Sequence, residues 1–292
     1  MNMMDVINSG KILVFDGAMG TQLAEQDVEM GGQNNILNPD KVRTVHDKYL
    51  KNGSDVIITN TLTMNPVYIK EHGVDIDFEK VNLAGAKIAK EAAAKTGAFV
   101  AGDISSTGCM LEPFGLFTKQ QFIEGYEKQA MVLEKGGVDL FLIETIMDLN
   151  EAMCALKACK NVSKLPVFVS ITFTTLTNGG RTIMGNSAED CAKQLTDNGA
   201  DALGANCGDL DPFEMAELIK IYKDNSPLPF LAQPNAGKPK LVGNKTVFDM
   251  PVERFKEGIQ KCIDAGASLI GGCCGTSPEY IMAIAKLVKR NF

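Results

Sequence analysis

Apolar, β-prone runs recur at near-regular intervals along this 292-residue chain, and between them lie polar stretches whose apolar residues share one helical face. The apolar runs predict strands over residues 11–16, 55–60, 99–103, 139–144, 166–172, 202–207, 229–234 and 268–273. Most are continuous rather than alternating, the pattern of strands covered on both faces of a parallel sheet. A helix is expected after Asn38-Pro39. Asn38 suits its cap and Pro39 its first position, Val42, Val45 and Tyr49 fall on one face, and Gly53 can end it. Similar helices are expected over residues 78–94, 118–135, 149–160, 188–198, 212–224, 251–265 and 278–289. Several end in glycine just before the next strand, at Gly97, Gly136-Gly137, Gly199 and Gly266.

Eight strands alternating with eight helices predict an α/β fold, a single (β/α)8 TIM barrel forming one domain over residues 1–292. The competing arrangement, an open doubly wound sheet, lacks its nucleotide loop: no Gly-x-Gly-x-x-Gly follows the first strand. The 45% hydrophobic content is that of an ordinary globular protein. A net charge of -7 with scattered basic residues argues against a nucleic-acid partner. No apolar run reaches the ~18 residues of a membrane helix. Residues 1–10 lack the basic start and apolar core of a secretory signal. Eight cysteines without such a signal are expected to be reduced thiols of a cytoplasmic protein.

In a β/α barrel the C-terminal strand ends carry the chemistry. Here they bring Asp16, Asn60, Asp103, Glu144, Thr172, Asn206-Cys207, Pro234-Asn235 and Cys273-Cys274. No lysine ends a strand, which counts against a Schiff-base aldolase. His46 and His72 fall in helical segments, expected to be solvated, so no histidine base is in place.

The cysteines offer another way to activate a nucleophile. Thiolates are soft ligands that favour zinc. The sixth and eighth strands lie two places apart, about 10 Å, a span that inward side chains and a metal can bridge. Adjacent strand residues point to opposite faces, so Cys273 and Cys274 need a kink to share one ion. Gly271-Gly272 before them and Gly275 after them are expected to provide it, with Thr276 and Glu279 forming a capping box for the last helix. A lone strand-end cysteine is usually core; the three together, flanked by glycines, point to a metal. Three protein ligands leave a fourth position open, as in catalytic zinc sites. Three thiolates make the metal a weak Lewis acid, poor at generating hydroxide but able to lower the pKa of a substrate thiol. The expected reaction is alkyl transfer to sulfur. Cys154, Cys159, Cys191 and Cys262 sit in helices as packing residues, while Cys109, in the loop after the third strand, has an open role.

Asp16 enters the turn Asp-Gly-Ala-Met-Gly-Thr, where Gly17 and Ala18 bring backbone N–H groups close to a ligand carboxylate. Asp16 and Glu144 suit an ammonium. Candidate substrate contacts are thus Asp16, Gly17, Ala18, Thr59, Asn60, Asp103, Glu144 and Asn206, with Cys207, Cys273 and Cys274 as metal ligands and catalytic centre. Two other arrangements use the same residues. One is a Mg2+ barrel on Asp16, Asp103 and Glu144. The other is a zinc-holding or corrinoid-docking subunit without turnover.

The motifs Asp16-Gly-Ala-Met-Gly-Thr, Thr59-Asn-Thr, Ala101-Gly-Asp-Ile-Ser, Glu144-Thr, Asn206-Cys-Gly and Gly271-Gly-Cys-Cys-Gly-Thr resemble the signature set of the zinc-dependent homocysteine S-methyltransferases, over about residues 11 to 285. The resemblance implies a β/α barrel, one Zn2+ per chain on Cys207, Cys273 and Cys274, homocysteine as thiol acceptor giving methionine, and Asp16 and Glu144 on the substrate amine. Within the family, Pro234-Asn-Ala-Gly-Lys-Pro and Glu144-Thr-Ile-Met-Asp resemble the homocysteine module of cobalamin-dependent methionine synthase. That likeness implies a methylated corrinoid (methylcobalamin), carried on a separate protein, as donor. The betaine branch has an aromatic residue where Thr145 stands, and this chain has no tryptophan for a quaternary-ammonium cage. The S-methylmethionine branch has serine at the position of Ala236. Leu62 departs from the phenylalanine common in the family, which bears on the pocket wall. S-methylmethionine or betaine as donor, or a different thiol acceptor, are the alternatives.

Overall fold

The computed structural model describes residues 3–243 and 245–289; the predicted domain's extremes, residues 1–2 and 290–292, and residue 244 lie outside the described residues. In chain order the elements are α1 (Met3–Asn8), β1 (Leu13–Val14), α2 (Met19–Ala24), α3 (Asn34–Leu37), α4 (Pro39–Lys51), β2 (Val56–Ile58), α5 (Pro66–Glu71) and α6 (Phe78–Ala93). They continue with β3 (Phe99–Ile104), α7 (Lys119–Lys135), β4 (Leu140–Ile146), α8 (Leu149–Val162), β5 (Val167–Ile171), α9 (Ala188–Asp197), β6 (Ala202–Asn206) and α10 (Pro212–Asn225). The last are β7 (Phe230–Gln233), β8 (Lys240–Val242), β9 (Lys245–Val247), α11 (Val252–Ala265), β10 (Ala267–Ile270) and α12 (Pro278–Lys289).

Eight parallel strands run in the order β1-β10-β7-β6-β5-β4-β3-β2, and a bridge from Phe15 to Val56 brings the two ends of the sheet together. This is the (β/α)8 barrel. Side chains alternate along each strand. Leu13, Phe15, Leu140, Leu142, Phe168, Leu231 and Leu269 fill the interior, with Met3 and Ile7 of α1 joining that cluster. The intervening residues, such as Val14, Phe141, Val169 and Leu203, pack outward on the helices. Each fully buried side chain of this size stabilises the fold by about 1.5–3 kcal/mol. That double burial is why the strands read as continuous apolar runs.

An aspartate at the start of three strands repeats one device. Asp55, Asp139 and Asp201 accept from the backbone N–H of Val14, Val100 and Val167 at 3.0, 2.7 and 2.7 Å. Lys11, Lys90 and Lys160 neutralise them. These contacts lie at the barrel's N-terminal face, where they serve stability rather than chemistry.

All eight predicted strands and helices are present, with ends moved by a few residues. Short elements that carry no long period of their own were not expected: α1, α2, α3, α5 and the antiparallel β8–β9 hairpin. Pro39 does open α4, but Asn38 makes no side-chain cap; its Nδ2 donates to Asn34 Oδ1 at 2.8 Å instead. The expected capping box at Thr276 and Glu279 is also absent. Thr276 Oγ1 donates to Cys273 O at 2.7 Å and accepts from Ala18 N at 3.1 Å, so it ties the first and last strand ends together. Capping boxes form instead at Thr118–Gln121 on α7 and Asp211–Glu214 on α10. His46, expected in solvent, is fully buried on α4, whereas His72 is exposed.

Candidate metal and amino-acid site

Cys207 follows β6, and Cys273 and Cys274 follow β10, which flank β7 in the barrel wall. The sulfurs of the three lie within 4.8 Å of one another, and Cys207 Sγ is 3.8 Å from Cys274 Sγ. Tetrahedral ligands on zinc, with Zn–S near ~2.3 Å, stand about 3.8 Å apart. The donor set and its spacing therefore fit one zinc ion and leave one position open. Among the described residues this is the one set of three His, Cys, Asp or Glu side chains drawn so close. Asp16, Asp103 and Glu144 do not converge in this way, so the Mg2+ arrangement lacks its ligand cluster.

The kink that joins the vicinal cysteines arises differently from the sequence expectation. β10 ends at Ile270, so both cysteines already lie in a turn, where successive side chains need not alternate. Gly271 and Gly272 are required for close approach. A Cβ on Gly271 would meet Phe15 Cβ at 2.8 Å, and one on Gly272 would meet Thr276 Oγ1 at 2.5 Å. The left-handed backbone falls on Gly275, at φ 78°, and on Cys207 itself, at φ 56°. A non-glycine residue in that region is uncommon and concentrates at functional sites. Contact among the three thiols lowers the pKa of Cys207 and raises those of Cys273 and Cys274.

Three buried carboxyl groups at the strand ends interact with one another, and Glu144 among them with Cys207. Burial raises Asp16 and Asp103 well above the usual carboxylate range, and burial together with the Cys207 charge raises Glu144 to about 8. Asp16 Oδ2 accepts from Ile58 N at 2.9 Å. Asp16 Oδ1 and Asp103 Oδ1 are buried without a partner, as are Gln233 Oε1 and Asn235 Oδ1 at the end of β7. All four are acceptors. Buried acceptors without donors are costly, and a ligand that brings N–H groups relieves the cost.

Other predicted contacts are occupied by the protein. Ala18 gives its N–H to Thr276 and its carbonyl to Tyr49 OH at 2.8 Å. Gly17 lies so close to Thr276 and Tyr49 that a side chain would collide. Thr59 Oγ1 pairs with Thr61 Oγ1 at 2.7 Å and accepts from Asp103 N at 2.9 Å. Asn60 Nδ2 donates to Gly31 O and Asn35 Oδ1, both at 3.1 Å. Asn206 is bonded to Thr145 and Ser170. Sequence reasoning missed Tyr49, Ser170, Thr276 and Gln233. The pattern puts Tyr49 on a helix's apolar face and Thr276 in a cap, and the only signal for Ser170 and Gln233 is polarity within apolar strand runs. Cys154, Cys159, Cys191 and Cys262 are buried and Cys109 is partly exposed, away from the trio.

The profile of the family described as homocysteine S-methyltransferase matches residues 13–288. Methionine synthase of Mycobacterium leprae (strain TN) is 28% identical over 300 residues, covering 96% of this chain and 24% of that protein. The chain thus spans about a quarter of that relative's length. Among solved structures, the metallated homocysteine methyltransferase MmuM of Escherichia coli is similar at a TM-score of 0.79 and 21% identity, covering 97% of this chain and 98% of that one. The carboxyl transferase domain of Rhizobium etli pyruvate carboxylase aligns more loosely, at a TM-score of 0.55 and 15% identity over 96% of this chain and 48% of the other. With the profile matched across nearly its full length, the chain belongs to the homocysteine S-methyltransferase family.

Proposed function

We propose that this chain is a zinc-dependent methyltransferase that moves a methyl group onto the thiol of homocysteine, giving methionine. The observation that carries the reading is the trio of sulfurs within 4.8 Å, together with buried, unpartnered acceptors at the strand ends. Cys207, Cys273 and Cys274 would hold the metal. A zinc ion there supplies a Lewis-acid position that lets a substrate thiol lose its proton and stay nucleophilic at neutral pH. The chain's own groups do the rest. Asp16 and Glu144, with Asp103 beside them, take the substrate ammonium, which can donate to the unpartnered Oδ1 atoms of Asp16 and Asp103. The turn at Gly17 is left for the substrate carboxylate. Thr59, Asn60, Ala18 and Asn206 hold these groups in place rather than touch the substrate.

The donor we assign is a methylated corrinoid carried by a separate protein. Support comes from the barrel mouth. Among the described residues, every large exposed hydrophobic side chain except Met131 and Met282 lies between a barrel strand and the long helix that follows it, counting α3 and the β8–β9 hairpin as parts of those connections. Leu37, Phe114, Leu116, Ile183, Leu241 and Val242 are examples, and Leu116 is 90% exposed. Exposed apolar side chains on the connections that lead from the barrel strands would suit contact with a protein-borne donor.

A donor screen on zinc-loaded protein tests both parts. Methionine should form from homocysteine with methylcobalamin, and faster when the corrinoid is protein-bound. Turnover with S-methylmethionine or betaine alone would replace the donor assignment. Absence of methionine with every donor, on protein that holds zinc, would overturn the function.

A further inference from the structure

Asn206 ends β6 with its side chain directed into the barrel, almost completely buried and bonded only to its neighbours. Its Oδ1 accepts from Thr145 N at 3.0 Å and from Ser170 Oγ at 2.8 Å. A backbone N–H can only donate, so the amide's orientation is fixed. Its Nδ2 therefore faces the other way, toward Thr145 Oγ1 at 2.8 Å and Cys273 Sγ at 3.9 Å. Its backbone carbonyl accepts from Thr172 Oγ1 at 3.0 Å. Two residues of β5 and its end, Ser170 and Thr172, hold Asn206, and Asn206 holds β4 and the turn after β10.

What it holds is strained. Thr145 has φ 58°, and a β-branched residue in the left-handed region persists only where its surroundings enforce it. The strain falls where the pairing of β4 with β5 slips register, between Ile143 and Ile146. Glu144 is the other residue in that slip. Both Thr145 hydrogen-bonding groups on this side, N–H and Oγ1, go to the one amide. The same amide touches Cys273, at the opposite end of the site.

We propose that Asn206 is the positioning residue of this site: anchored by Ser170, its amide enforces the left-handed turn at Thr145 that presents Glu144 to the substrate ammonium, and sets Glu144 at a fixed distance from the sulfur of Cys273. Neither Asn206 nor Ser170 touches the reacting atoms. The assignment rests on the homocysteine reading above, since the distance between a carboxylate and the sulfurs matters only for a ligand that carries both an ammonium and a thiol.

Calorimetric binding of homocysteine to the zinc-loaded protein, without a methyl donor, reads this directly. Asn206→Ala should weaken homocysteine about tenfold or more, the loss expected when a charge-assisted contact is misplaced, while 2-mercaptoethanol changes far less. Thr145→Gly removes the strain, since glycine enters the left-handed region freely. In that background Asn206→Ala should cost no more than about threefold, because the turn no longer needs enforcing. Equal losses in both backgrounds, or equal losses for both thiols, would overturn the proposal. Should Asn206→Ala not fold, Ser170→Ala carries the same prediction, and unchanged homocysteine affinity in that variant overturns it. If the wild-type protein does not bind homocysteine, the functional reading fails separately. The role of Asn206 is then decided by amide exchange at Thr145, which should quicken about tenfold or more in the variant and would remain slow if Asn206 enforces nothing.

Discussion

Glu144 and His46 are both buried ionisable groups, and they differ in what burial is for. Glu144 stands 8% exposed at the mouth with Asp103 and Cys207 as electrostatic neighbours, and its carboxyl is raised to about 8. A binding ammonium pulls such a group back to its charged form. Glu144→Gln should therefore weaken homocysteine by about tenfold or more, the worth of a charge-assisted hydrogen bond, and leave zinc content unchanged. Loss of zinc in that variant would move Glu144 to the metal. His46 is fully buried, neither ring nitrogen has a hydrogen-bond partner, and burial lowers its pKa from 6.5 to about 4, with Asp47 opposing and Arg43 adding to the shift. Its folded-state pKa is below the unfolded one, so the unfolded chain takes up the proton first as pH falls. Stability is therefore full above about pH 6.5 and is lost on the way down to about pH 4, by about 3 kcal/mol from this group. His46→Leu should flatten that part of the stability-against-pH curve from denaturant melts. An unchanged slope between pH 6.5 and 4 would assign the acid loss to other groups.

At the scale of elements, the barrel was legible and its connections were not. Eight long apolar runs were enough to place β1 to β7 and β10, because burial on both faces leaves no polar alternation to confuse the reading. The cysteine trio was legible for another reason: soft ligands at the ends of strands two places apart carry their own chemistry. The short helices α2, α3 and α5 and the β8–β9 hairpin are set by contacts far away in sequence. So is Thr276, whose hydroxyl prefers Ala18 and Cys273 to the helix cap that its spacing with Glu279 suggested. The roles of Gly271 and Gly275 likewise needed the neighbours, Phe15 and Phe248, that no local pattern names. Gly275 is the point at which the turn after β10 depends on backbone freedom. It has φ 78°, and an added Cβ would lie 2.4 Å from Phe248 Cβ. Gly275→Ala should cost about 1–3 kcal/mol of stability and shift Cys274, its immediate neighbour. Zinc affinity, read by competition with a chelator, should fall while the other barrel strands keep their amide protection. Wild-type affinity in this variant would mean the turn tolerates a different path.

Across the whole molecule, the fold and the cysteine trio proposed to hold the metal rest on separate foundations. The barrel interior is packed by strand side chains from Leu13 to Leu269, and the outer core by strands against helices; neither includes Cys207, Cys273 or Cys274. The three sulfurs sit above both, partly exposed, where the chain has left the strands. A small zinc domain has no other core, so it unfolds without its ion, whereas a chain of this size buries enough surface to fold without one. Removing metal with a chelator under reducing conditions should therefore leave the far-UV circular dichroism and the denaturant m-value unchanged, because the surface exposed on unfolding is the same. The melting temperature should still fall, since an ion that binds only the folded state adds its binding free energy to stability. Cys207→Ala, Cys273→Ala and Cys274→Ala should each fold with wild-type dichroism and a lower melting temperature, and added zinc should raise that temperature in the wild-type chain far more than in any of them. A variant that gains as much from zinc as the wild type does would not have lost a ligand. A chain that loses its dichroism with its metal would mean that the turn after β10 and the end of β6 are needed to close the barrel, and the separation of site from fold would be wrong.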